Sequence, residues 1–376
     1  LFHENAIEPK SIIEAAGNTG LFTDFASQAS DSAFLLITHN SLLSSVNQFA
    51  SYKTSKDHNT MVIDVHELYD QYAYGIKQHP LAIKNFCREL LIEAPSEPSY
   101  LFLVGKAISS HLNRYNRTNY GNNLVPTFGY PSCDNLFTTR IGGSLFDPVI
   151  PTGRLSARNN QDVLDYLEKV REFDQAVDTL SPKAEEQLWK KRILHFAGGT
   201  SQAEQSLFER YLSDYENIAL DSVFAGNVFS FYKNSAAAIQ TEISDSVKLL
   251  IDDGVALMTF FGHGAGGQLG FSIGDPETYD NEGKYPFMIA NSCNVGNIYL
   301  EDIGSRSLNE NFILAKQRGV IGFIASVENG YAYNLDEYTK AFYRNFARSN
   351  YGLSIAELMQ QTVKDIQRDV PIVKWT

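Results

Sequence analysis

Short, largely apolar runs recur along this chain, many bounded by glycine or turn residues and most followed by a stretch of helical period. The clearest are Ala33–Thr38, Thr60–Val65, Tyr100–Gly105, Arg192–Ala197, Asn227–Tyr232, Val255–Phe261, Tyr285–Ala290 and Val320–Ala325. A strand without polar alternation has to be covered on both faces, the condition of a parallel sheet between helices. Amphipathic stretches fall between the runs, at Ser41–Lys53, Leu81–Glu93, Asn160–Val177, Gln202–Tyr215, Ile239–Asp253, Leu308–Gln317, Leu335–Ala347 and Ile355–Arg368. This alternation predicts an α/β fold with helices on both faces of its sheets.

The pattern lapses into a polar segment around Leu180 to Lys191, so two successive α/β units of similar style are expected, 1–185 and 186–376. Within the first unit, Lys106 to Arg154 is rich in Gly, Asn, Tyr and Pro, with only Val149–Leu155 resembling a short strand. A long stretch without periodicity inside a compact chain usually carries function.

Composition narrows the function classes. The 376 residues are 43% hydrophobic and 20% charged, ordinary for a globular protein with a sizeable core. Lys+Arg of 31 against Asp+Glu of 44 gives a net charge of −13, which argues against a nucleic-acid partner. No apolar stretch approaches the roughly 20 residues that cross a bilayer. The chain opens on Leu1, as expected of a processed or trimmed piece, so the lack of a signal peptide carries no weight. Three cysteines do not make a disulfide scaffold. Cys87 lies in an amphipathic helical pattern and is expected in the core, whereas Cys133, in a Tyr-Pro-Ser-Cys-Asp turn, is expected near the surface.

Two of the apolar runs end in reactive residues. Val255–Phe261 leads into Gly262-His263-Gly264, and Tyr285–Ala290 leads into Asn291-Ser292-Cys293. Parallel sheets present their chemistry at the carboxyl ends of the strands, so imidazole and thiol are expected over one cleft. A thiol needs a base to act as a nucleophile near neutral pH, and a histidine supplies one. The N–H groups of Gly264 and Cys293 are candidates for an oxyanion hole, and the glycines at 262, 264, 266 and 267 suit a loop whose backbone meets a ligand. Taken singly, such a histidine is more often structural and such a cysteine more often inert core. A phosphate loop lacks its Lys-Ser/Thr ending here, and a metal site lacks further ligands at short spacing.

The Phe-Phe-Gly-His-Gly and Ala-Asn-Ser-Cys-Asn strand ends, with their spacing, resemble the gingipain family of cysteine peptidases. The blocks Tyr100–Gly105, Pro126–Ser132, Pro151–Ala157, Ser307–Phe312 and Gly319–Ser326 follow that family's order, so the resemblance runs from about Asp31 onward. It implies a caspase-like three-layer α/β/α sandwich with mostly parallel sheets in two similar subdomains, the second catalytic. It implies Cys293 as nucleophile, His263 as acid/base, Gly264 and Cys293 as oxyanion donors, and an acidic residue orienting the histidine, for which Asp134 is the candidate. Ser326, Val327, Glu328 and Asn329 would form one wall of the substrate pocket. Arginine-cleaving members place an aspartate at the pocket base. Ile141-Gly142-Gly143-Ser144 shows none, and Asp147 stands nearby.

The chain is similar to the sortases of the type IX secretion system as much as to the secreted proteases of the family. Either branch implies a protein or peptide substrate, a place outside the cell or at the outer surface of a Gram-negative bacterium, and, for a sortase, partners in the secretion machine. No cofactor is required, while structural calcium, present in relatives, is an expectation without a recognisable ligand spacing here. Because Trp375-Thr376 follows closely on the last helix, the immunoglobulin-like domain of many members is expected to be absent or cut away. The alternative is a non-catalytic interaction module that keeps the same fold.

Overall fold

A computed structural model describes residues 21–29, 31–142, 146–220, 223–233, 245–265, 268–301 and 304–369. Its first sheet is built from β1 (Phe34–Thr38), β2 (Thr60–Asp64), β3 (Tyr100–Val104) and β4 (Thr152–Leu155), in the order β2-β1-β3-β4 with every pair parallel. The apolar run in β1 is used on both sides. Leu35 and Ile37 face a core with Leu68, Ile83 and Phe86 from helices Val65–Tyr72 and Leu81–Glu93. Leu36 faces the opposite core, with Val46, Phe49, Val163 and Leu167 from helices Leu43–Thr54 and Asn160–Asp178. Successive residues of a strand point to opposite faces, so an all-apolar strand demands this double cover.

The second sheet repeats the plan. β5 (Arg192–Ala197), β6 (Asn227–Tyr232), β7 (Leu257–Phe261), β10 (Phe287–Asn291) and β11 (Gly322–Ala325) lie in the order β11-β10-β7-β5-β6, again wholly parallel. A small antiparallel hairpin, β8 (Gly264–Ala265) with β9 (Gln268–Leu269), follows β7. Every residue of β7 and β10 is buried. Helices Gln202–Ala219, Ala332–Arg344 and Ile355–Asp369 cover one face, and Asp245–Asp253 with Leu308–Leu314 the other. The three-layer α/β/α architecture expected from the alternation is thus present in both halves.

The halves are fastened through buried polar groups. Lys169 on helix Asn160–Asp178 donates to the carbonyls of Phe312 (3.4 Å), Ile313 (2.8 Å) and Val320 (3.3 Å). Lys106, just past β3, donates to Glu310 Oε1 at 2.9 Å. Both members of that ion pair are buried, so each depends on the other's charge.

Several details differ from the sequence expectation. Helix Val65–Tyr72 starts directly at the end of β2, capped by Asp64, whose Oδ1 accepts from His66 N–H at 3.0 Å. No turn residue separates the two elements, so the helical period was hidden behind the strand. The stretch 106–154 is not structureless: it holds helix Ser110–Tyr115 and 3-10 turns at Arg117–Gly121 and Asp134–Phe137. The helix expected from Ile239 is seen from Asp245, and 234–244 lie outside the described residues.

Candidate active site

β7 and β10 are neighbours in register, with Phe261 opposite Asn291, and the N–H of Gly262 donates to Asn291 O at 3.1 Å. His263 and Cys293 each lie two positions beyond that last pair, so they leave the same sheet end side by side. The turns themselves touch. A Cβ on Gly264 would sit 2.6 Å from the carbonyl oxygen of Cys293 and 2.7 Å from Ser292 Oγ, distances that only glycine escapes. The hairpin closes behind the histidine, with Gly270 N–H donating to His263 O at 2.8 Å. Neither reactive group is sealed: the His263 side chain is 47% exposed and Cys293 is half-buried.

The acid that meets the imidazole is Glu204. Its Oε1 lies 3.0 Å from His263 Nε2. Glu204 occupies the third position of helix Gln202–Ala219, which follows β5, the neighbour of β7 on the other side. Its Oε2 accepts from the Thr200 N–H (2.9 Å), the Thr200 hydroxyl (2.8 Å) and the Ser201 N–H (3.2 Å), leaving Oε1 for the ring. The Thr200 N–H above all, then the Thr200 hydroxyl and His263, hold this carboxyl down to about 2. A carboxylate only accepts, so Nε2 of a neutral ring carries the proton and Nδ1 is left as the basic nitrogen. Sequence reasoning passed over Glu204, although Ser201-x-x-Glu204 after a strand was a visible capping box, a helix-start signal that masked a second use.

Asp134 is not that partner, and the expectation is corrected. Its carboxylate is taken up by Arg154 (Nε to Oδ2 2.6 Å, Nη2 to Oδ1 2.9 Å), Tyr299 Oη (2.9 Å) and Thr127 Oγ1 (3.0 Å). It serves the buried Arg154 cation of β4, which requires a counter-charge.

The segment after β11 lies against the nucleophile turn. Asn294, at φ 60°, donates its N–H to Glu328 O at 3.2 Å, and Gly296 N–H donates to Ser326 O at 2.9 Å. Asn294 Nδ2 reaches Asn329 Oδ1 at 3.2 Å, and Cys293 Sγ lies 3.8 Å from Gly330 O. The structure therefore places Ser326, Val327, Glu328 and Asn329 beside Cys293. Asp147 is half-buried, and its neighbours Pro148 and Val149 accept from Gln360 on the last helix. Ile141 and Gly142 are placed, while Gly143 and Ser144 lie outside the described residues.

The other thiols differ in kind. Burial pushes Cys87 up to about 12. Cys133, expected near the surface, is half-buried, and burial raises its thiol as well. Among the described residues no group of three or more His, Cys, Asp or Glu side chains is placed to hold a metal ion. No helix among them is long and apolar enough to cross a membrane.

Glutamate, histidine and cysteine thus gather beyond the carboxyl ends of three adjoining parallel strands in a three-layer sandwich, the candidate site of a cysteine-type peptidase of caspase-like fold. The family model of Peptidase family C25 matches residues 27–373, and the chain belongs to that family. The fold is similar to the Arg-specific cysteine proteinase gingipain R (TM-score 0.68, 13% identity, 91% of this chain and 74% of that one). It is similar also to the complex of the pro- and mature domains of RgpB of Porphyromonas gingivalis (TM-score 0.67, 14% identity, 89% and 74%). A likeness to dimeric latent PorU of Porphyromonas gingivalis is confined to 47% of this chain and 20% of that one, with a TM-score of 0.33 and 12% identity. Comparison with curated proteins gives no match.

Proposed function

We propose that the chain cleaves peptide bonds through a thioester formed on Cys293, with His263 as proton shuttle and Glu204 as the group that orients it. The observation that carries this reading is the 3.0 Å contact of His263 Nε2 with Glu204, on a turn whose next residue rests on the Cys293 carbonyl. Nδ1 of His263 takes the thiol proton as Sγ attacks the carbonyl carbon. The carbonyl oxygen, now negative, is met by the N–H groups of Gly264 and Cys293. His263 returns the proton to the amine nitrogen as the C–N bond breaks, leaving the thioester. Water, deprotonated by His263, then releases the acid and restores the thiol.

An amine in place of water would make the same thioester the donor for transpeptidation. We propose exported proteins as the substrates, outside the cell or at its outer surface, with a sortase role in type IX secretion as the finer form of this reading. That form rests on the resemblance of the sequence to the family's sortases, which equals its resemblance to the secreted proteases. A peptide-library profile, run with and without an added amine, tests both levels. Cleavage that is lost in Cys293→Ala supports the peptidase, and amide products formed in competition with hydrolysis support the sortase. Cleavage retained in Cys293→Ala would overturn the nucleophile assignment.

A further inference from the structure

The segment that follows the candidate nucleophile is held by the half of the molecule that supplies none of the Glu204–His263–Cys293 side chains. Lys106 Nζ, past the end of β3, donates to Ile298 O at 2.6 Å, and the N–H of Ser109 donates to Tyr299 O at 2.8 Å. Asn119 Nδ2 donates to Glu301 Oε1 at 2.9 Å. Between these, the Tyr299 hydroxyl donates to Asp134 Oδ2 at 2.9 Å, with both residues buried.

Asp134 is itself fixed by an unusually complete post. Arg154, on β4, gives Nε and one Nη2 hydrogen to Asp134. Its remaining hydrogens go to the carbonyls of Gly105 (2.8 Å), Val125 (2.9 Å) and Pro126 (3.0 Å). All five donors of the guanidinium are therefore used, which leaves the fork no alternative geometry. Thr127 holds the other oxygen of the carboxylate at 3.0 Å. Burial and the Asp134 charge hold the Tyr299 phenol well above its ordinary range, so it remains a donor to that carboxylate whatever the working pH.

We infer that Tyr299 and Asp134 are positioning residues for Cys293: the chain from Arg154 through Asp134 to the Tyr299 hydroxyl fixes the loop that starts at the nucleophile. The inference rests on the assignment of Cys293 as nucleophile. It gives the first sheet a part in the reaction, which its strand ends alone do not explain. On its other edge the loop is stitched to Ser326 and Glu328 beyond β11, so it is stretched between two supports. Removing one support lets the Cys293 sulfur and N–H drift relative to His263 and Gly264. Displacements of that kind, on the order of 1 Å, cost rate more than binding.

Tyr299→Phe removes one hydroxyl and keeps the ring. With a peptide substrate, kcat should fall about tenfold, the scale of one hydrogen bond to a charged group, while KM stays within about twofold. Alkylation of Cys293 by iodoacetamide should slow in parallel. Tyr279→Phe is the control, because the Tyr279 hydroxyl is also buried but donates to Ile273 O, outside the nucleophile loop. A purely structural role would leave the two variants with equal kcat at a temperature where both are folded. Should Tyr299→Phe fail to fold, Thr127→Val, which removes one of the two hydrogen bonds to Asp134 Oδ1 and leaves that from Arg154, should show a smaller fall in the same direction. A kcat and labelling rate within about twofold of the parent, in folded Tyr299→Phe or its Thr127→Val substitute, overturn the inference while Cys293→Ala is inactive. Activity surviving in Cys293→Ala would instead remove the nucleophile assignment, and this inference with it.

Discussion

Glu204 meets His263 across the boundary between β5 and β7, where Oε1 of the carboxylate stands 3.0 Å from Nε2 of the ring. That boundary is the point at which the strand order of the second sheet reverses direction, since β6 lies to one side of β5 and β7 to the other. At such a point the connections that follow neighbouring strands diverge to opposite faces and leave a crevice at the carboxyl ends. The helix after β5 and the turn after β7 leave the sheet there, and the histidine meets its carboxylate between them.

Glu204→Gln separates orientation from folding. Glutamine serves in a capping box as glutamate does, so the start of helix Gln202–Ala219 should survive. The imidazole loses its anionic partner, so the imidazolium formed during turnover is less stabilised. A fall in kcat of about 10–10²-fold is expected at a temperature where the variant is folded. A modest loss of thermal stability should accompany it, because the amide accepts from Thr200 and Ser201 without the charge that those contacts favour. Parallel kinetics and thermal melts on the variant check it, and unchanged kcat would refute the role given to Glu204.

Gly264→Ala addresses the contact between the two turns. The added methyl would lie 2.6 Å from Cys293 O and 2.7 Å from Ser292 Oγ, and the first of these is backbone that moves only with the nucleophile. Stability should drop by about 1–3 kcal/mol, the usual cost of forcing an extra carbon into a packed site. Activity should fall by more than about 10²-fold, because the displaced groups include both proposed oxyanion donors. Denaturant titration beside active-site titration distinguishes the two losses.

Acid stability should depend on a residue outside the active site. His195, on β5, is fully buried, with Nε2 2.8 Å from the Tyr343 hydroxyl, and burial lowers its imidazole to about 3. Between about pH 3 and the ordinary value of 6.5 the unfolded chain binds a proton there that the folded chain does not. Stability from this residue is therefore full above about 6.5 and falls as the pH drops toward about 3. Urea unfolding across that window should show a slope of at most about 1.4 kcal/mol per pH unit from this one site. The slope should be smaller in His195→Gln, and an unchanged slope would show that other groups govern acid unfolding.

The central strands were legible because their burial is two-sided, which keeps a run such as Leu257–Phe261 almost free of polar residues. The positions of His263 and Cys293 followed, since both sit directly past such runs. Glu204 did not follow, because its local role as a helix-start acceptor is complete in itself and only the pairing of β5 with β7 turns its second oxygen to the ring. Asp134 was misread for the converse reason. An acid in a loop near a catalytic block looks available until Arg154, distant in sequence by 20 positions, is seen to occupy it. The hairpin Gly264–Leu269 was hidden by its size, with two residues in each strand and no periodicity to detect.

Substrate choice gives the last test. Glu328 lies half-buried in the segment that flanks Cys293, its backbone carbonyl accepts from Asn294, and among the described residues it forms no ion pair. A carboxylate held near a scissile bond without a cation of its own favours a cationic side chain on the substrate, while an exposed pair contributes only about 0–1 kcal/mol. Partial burial raises that figure, so Glu328→Gln should lower kcat/KM for peptides with Lys or Arg before the cleaved bond by about 5–10-fold relative to those with Ala or Leu. Competition between paired fluorogenic peptides reads this ratio directly, independent of the amount of active enzyme. An unchanged ratio would mean that the Glu328 carboxylate points away from the residue preceding the cleaved bond, and that only the backbone of Ser326–Asn329 borders the substrate.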